Sequence, residues 1–140
     1  MFNPSRAEAR RFLFNTWNKH KAGEILTPLE SMALDAIFLH PEYHFMLDDE
    51  DRYIEQDYLP GFADVNPFLH LSLHLAVAEQ LSIDQPPGIC GAFERLRTKT
   101  GDEHQALHIV LDCLAETMWQ AQRNGTGPDP AVYRDCLARR

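Results

Sequence analysis

The sequence predicts an all-α fold, an antiparallel bundle of about four main helices with one or two short additions. Three observations carry that expectation. Apolar residues recur at three- and four-residue spacing through most of the chain. Start signals with Asn, Thr or Asp before proline, and stops at glycine, punctuate the pattern. Strand-like alternation occurs only at Leu69-His70-Leu71-Ser72-Leu73-His74, and the run after it, Leu75-Ala76-Val77-Ala78-Glu79-Gln80-Leu81, favours helix.

Asn3-Pro4-Ser5 opens a first helix with Ala9, Leu13, Thr16, Trp17 and His20 along one side, ending near Gly23. Thr27-Pro28-Leu29-Glu30 is a capping box with proline in the first helical position. The second helix sets Leu29, Ala33, Ala36 and His40 on one stripe and stops near His40, because Pro41 disfavours the α conformation in the residue before it. A short helix restarts at Pro41 and runs through Glu42-Tyr43-His44-Phe45. From Asp48 to Asp64 the chain turns acidic, with only Arg52 to offset Asp48, Asp49, Glu50, Asp51, Glu55, Asp57 and Asp64, and Pro60-Gly61 breaks regular structure. This run reads as a solvated loop or helix face. A cation-attracting mouth above a buried site is the alternative.

Asn66-Pro67 caps the next helix, Phe68 to about Leu81, the most apolar of the chain. At about 100° per residue from His70, His74 lies near 40°, Val77 near 340° and Leu81 near 20°, while Ser72 and Glu79 lie opposite. His70 and His74 therefore face inward and Glu79 faces solvent. Asp84-Gln85-Pro86-Pro87-Gly88 connects to a helix from Ile89 to Thr100. Gly101 fits its C-terminal cap and Asp102 the N-cap of the next helix, so the two are antiparallel neighbours. That helix, Glu103 to about Asn124, carries Leu107, Leu111, Leu114, Ala115, Met118 and Trp119 on an apolar arc that also holds His104 and His108, with Asp112 at its border and Glu116 toward the polar side. Asn124-Gly125-Thr126-Gly127-Pro128 ends it. Asp129-Pro130 caps a last short helix to about Ala138.

Composition narrows the functional classes. The 140 residues suit one domain, and 44% apolar with 24% charged is an ordinary globular balance. A net charge of −8 argues against a nucleic-acid partner, and the arginines near the termini (Arg6, Arg10, Arg11, Arg134, Arg139, Arg140) read as solvated surface. No stretch approaches the roughly 20 apolar residues of a membrane span, and no secretory signal stands at the start. Cys90, Cys113 and Cys136 are widely spaced and odd in number, which predicts buried thiols in a reducing, cytoplasmic compartment. No GxSxG or phosphate-binding glycine loop supports nucleophilic or nucleotide chemistry; Cys90 could approach a histidine across the helical hairpin, but nothing in the sequence requires it.

The histidines carry the functional signal. Six of the seven form pairs four residues apart: His40 with His44, His70 with His74, and His104 with His108. On a helix such a pair projects from one side, so facing helices can offer several imidazoles to one ion. Neutral imidazole suits zinc, iron, copper and nickel. His70, His74, His104 and His108 are the predicted ligands, completed by His40 or His44, whose shared face Pro41 interrupts. Glu42, Tyr43, Asp102 and Glu103 flank the pairs as candidates to orient the rings. His20 reads as surface.

The segments Asn66 to His74, Leu81 to Gly88 and Gly101 to His108, with Met1-Phe2-Asn3-Pro4-Ser5-Arg6 and His40-Pro41-Glu42-Tyr43-His44, resemble a family of short proteobacterial proteins known as a domain of unknown function. The resemblance covers nearly the whole chain and implies a bacterial cytoplasmic protein. In architecture the chain is also similar to hemerythrin-like and DinB-like metal-binding bundles. Its inward positions carry no HxxxE pair, which favours a mononuclear or zinc site over a di-iron one. The expected function is thus a metal-binding bundle, using zinc or iron and suited to a metal-dependent hydrolase or a sensor. The alternative is a non-catalytic interaction or assembly protein whose histidines pack and hydrogen-bond. The sequence leaves open the small-molecule or protein partner and the oligomeric state.

Overall fold

The computed structural model describes residues 6–58 and 66–140. Within them lie eight α-helices and no strand: α1 (Arg6–Ala22), α2 (Pro28–Leu39), α3 (His44–Leu47), α4 (Glu50–Tyr53), α5 (Pro67–Ile83), α6 (Ile89–Thr100), α7 (Glu103–Asn124) and α8 (Pro130–Arg139), with a 3₁₀ turn at Pro41–Tyr43. The fold is all-α. The expected Asn3-Pro4-Ser5 start, the Pro60-Gly61 break and Asp64 lie outside the described residues. No helix among the described residues is long and apolar enough to cross a membrane.

The chain forms two compact units, Met1–Leu75 and Ala76–Arg140. In the first, Leu13, Phe14 and Trp17 of α1 pack with Ala33, Leu34, Ala36 and Ile37 of α2, Met46 and Leu47 of α3, and Phe68, Leu71 and Leu75 of α5. The three- and four-residue spacing of these positions buries one side of each helix. Local chemistry sets the ends. The Thr27 hydroxyl accepts from Glu30 N–H while the Glu30 carboxylate accepts from Thr27 N–H, so α2 starts on a complete capping box. The Asn66 side chain accepts from Leu69 N–H at 3.1 Å and caps α5.

Arg10, expected at the surface, is instead 2% exposed. Its guanidinium lies 4.4 Å from the Phe68 ring centroid and donates to the carbonyls of Ile54 (3.0 Å) and Gln56 (2.8 Å). Among its described residues the acidic stretch is a solvated helix face and its flanks, with Asp48, Asp49, Asp51, Glu55 and Asp57 exposed. It folds into the short helix α4, and Asp48 accepts from Trp17 Nε1–H (2.7 Å) and the Lys21 ammonium (2.6 Å). Those hydrogen bonds hold the Asp48 carboxyl below its usual pKa, the Lys21 bond most strongly.

In the second unit, Ile89, Phe93 and Leu96 of α6, Ala106, Val110, Leu111 and Leu114 of α7, and Tyr133 and Leu137 of α8 are buried. Only Gly101 and Asp102 separate α6 from α7. Gly101 sits at φ 70°, a left-handed conformation that costs other residues a Cβ clash, and its N–H returns to the Arg97 carbonyl at 2.9 Å. Asp102 then caps α7 by accepting from His104 N–H and Gln105 N–H. Tyr133, buried, donates to the Gln80 side-chain carbonyl at 2.7 Å, and burial pushes its pKa up.

One cysteine expectation is corrected. Cys113 and Cys136 form a disulfide between α7 and α8, with Cα atoms 5.6 Å apart, a normal separation for a bridge. Their helical positions bring them together where sequence spacing had shown no pair. Cys90 remains a thiol and donates to the Leu81 carbonyl at 3.1 Å, so it is turned to its own backbone.

Candidate metal centre

The site begins where α2 ends. His40 is its C-cap, at φ −127° and ψ 70°, and its N–H bonds the Ile37 carbonyl. Pro41 enforces this break, because it cannot continue the helical hydrogen bonding and restricts the residue before it. The His40 side chain leaves the α2 stripe buried, at 5% exposure. Its Nδ1 lies 3.0 Å from Glu42 Oε2, and the Tyr43 ring stacks on it at 5.0 Å and 15°. A carboxylate only accepts, so Nδ1 carries the proton and Nε2 presents a lone pair on the other side of the ring.

Two nitrogens of α5 meet that lone pair. Nε2 of His70 and Nε2 of His74 each lie 3.0 Å from His40 Nε2. One turn of helix separates the two, which puts their ring centroids 4.9 Å apart. His74 is buried at 4% exposure and His70 half-buried. On α7, the Asp102 cap fixes the first turn, where the half-buried His104 and His108 have ring centroids 4.2 Å apart. His40, His70 and His74 thus form a cluster of ring nitrogens in the first unit, close enough to share one ion, and His104 and His108 form a pair in the second.

The remaining candidates are placed elsewhere. Nε2 of His44 lies 2.9 Å from the Ile37 carbonyl, and its ring packs 4.5 Å from Trp17. Because the 3₁₀ turn intervenes, the four-residue spacing from His40 does not put the two on one face. His20 is exposed beside Trp17 and Phe38. Of the residues thought to orient rings, Glu42 and Tyr43 contact His40, whereas Asp102 caps α7 and Glu103 is exposed. Asp112 is exposed as well, and Glu116 is half-buried, accepting from the Gln120 amide at 3.4 Å. What the pairing pattern did not reveal is the central position of His40, which touches both α5 histidines. The proline directly after it was the available signal, since it fixes where the last side chain of α2 is released.

No curated protein and no solved structure matches this chain. Residues 5–139 match one family over almost the whole length, and with that span the chain belongs to the family described as a domain of unknown function, DUF1841.

Proposed function

We propose that this protein binds a divalent transition-metal ion through the clustered histidines of its first unit, with His40, His70 and His74 as donors. One observation carries the reading: His40 Nε2 has a single in-plane lone pair, yet two other ring nitrogens lie 3.0 Å from it. A linear N–H···N bond accounts for one such contact. A cation among the nitrogens accepts a lone pair from each and accounts for all of them. The Glu42–His40 contact supports the same reading, because ligating imidazoles commonly give their other N–H to a carboxylate.

Zinc and iron both suit imidazole. Neutral donors leave the charge of the ion uncompensated, which acidifies a bound water and favours hydrolytic chemistry over simple storage. The competing reading, a non-catalytic interaction protein, draws on exposed apolar side chains such as Ile25 (93%), Phe45 (66%) and Trp119 (52%).

Elemental analysis of the untagged chain, purified without a nickel column, separates the two. About one ion per chain is expected, and its loss in His40→Ala with helical content retained. Metal-free wild-type protein that takes up no zinc, iron, cobalt or nickel would overturn the metal reading.

A further inference from the structure

The second unit carries a groove formed by the head of α6 and the last turns of α8, with a volume of about 250 Å³, at the small end for a ligand site. Ile89 and Leu137, both buried, line it together with Pro86 and Pro87. Arg95 of α6 and Arg134 of α8 line it too, whereas no acidic side chain among the described residues does. Neither arginine forms an ion pair among the described residues, although the chain carries a net charge of −8. Arg95 is anchored by a single bond, Nη2–H to the Leu137 carbonyl at 2.7 Å, and a guanidinium has five donors. The backbone at the head of α6 is already served, because the Asp84 carboxylate accepts from Gly88 N–H at 3.3 Å and Cys90 N–H at 3.0 Å. An anion in this groove is therefore met by the two guanidinium groups and not by the helix end.

We propose that the groove binds a small carboxylic acid with an apolar, ring-sized body, its carboxylate held by Arg134 and Arg95 and its body against Ile89, Leu137 and the two proline rings. Two like charges in one concave site attract anions, and the planar guanidinium fork matches a carboxylate. The lining decides against a bare inorganic anion. A phosphate stays hydrated and gains nothing from prolines and aliphatic side chains, whereas an apolar body leaves water by covering them. The site lies wholly within the second unit and is independent of the metal reading.

The test titrates 3-phenylpropionate into the full-length chain, with no metal added, and follows binding by ligand-detected NMR. A dissociation constant of about 1 mM or tighter is expected for a ligand of this size. Arg134→Gln removes one guanidinium from an exposed position and should weaken binding about 10-fold or more. Far-UV circular dichroism checks that the variant folds, and Arg134→Lys, which keeps the charge but loses the fork, serves if Arg134→Gln does not. The neutral amide of the same acid should bind about 10-fold more weakly than the acid, because it lacks the charge. No saturable binding of the acid by about 10 mM would overturn the proposal. So would a folded Arg134 variant with wild-type affinity, or an amide that binds as tightly as the acid. Inorganic phosphate that displaces the acid at equal concentration would overturn it as well, reducing the groove to a general anion attractor.

Discussion

At the scale of single residues, Arg10 shows how a charge is kept in an apolar core. Burial lowers its pKa, and the guanidinium is held by the carbonyls of Ile54 and Gln56 and by the face of Phe68. Arg10→Met keeps much of the volume but leaves both carbonyls without this donor. The expected loss is about 2–4 kcal/mol in urea unfolding, far above an ordinary surface change. A loss below about 0.5 kcal/mol would show that water replaces the guanidinium without penalty. The sequence placed Arg10 at the surface because its partners stand 44 and 46 residues away, and nothing in local spacing announces them.

At the scale of elements, the start of α2 links structure to pH. Glu30 accepts from the Thr27 N–H and from the Lys19 ammonium, and these, the backbone bond most of all, hold its carboxyl below its ordinary pKa. The folded value is the lower one, so the unfolded chain binds more protons between the two values and stability rises with pH there. The contribution is fully present above the ordinary carboxylate range and is lost as the pH falls through the depressed folded value. Glu30→Gln should therefore cost about 1 kcal/mol at neutral pH, and the deficit should close in acid. A pH-independent difference would assign the effect to packing. Boundaries such as this one were legible in the sequence, because Thr27-Pro28-Leu29-Glu30, Asn66-Pro67, Gly101-Asp102 and Asp129-Pro130 act on backbone groups two or three residues away. The relation of His40 to His44 was not, since a 3₁₀ turn changes the angular step between them.

At the scale of the whole molecule, the pairing of Cys113 with Cys136 closes a loop across a sequence separation of 23 and stabilises the second unit by about 3 kcal/mol in the chain-entropy account. Alkylation of denatured, unreduced protein should label Cys90 alone, and prior reduction should expose all three thiols. Three labels without reduction would show that the bridge is absent. The all-α class was legible because helical periodicity is a property of neighbouring residues. The disulfide was not, because it depends on how α8 docks on α7. The candidate site was legible in part: the pairs on α5 and α7 are single turns of helix, whereas the position of His40 beside α5 is tertiary.

The two-residue link between α6 and α7 also has a consequence in time. A helical hairpin with so short a connection has almost no loop to close, and its helices form within about a microsecond. His104 and His108 occupy the opening turns of α7, so their side-by-side arrangement belongs to this early local structure. The entropy of pairing these imidazoles is spent during folding. Under the proposed function an ion that reached this pair would meet it ready, which would raise its affinity by lowering what binding must still organise.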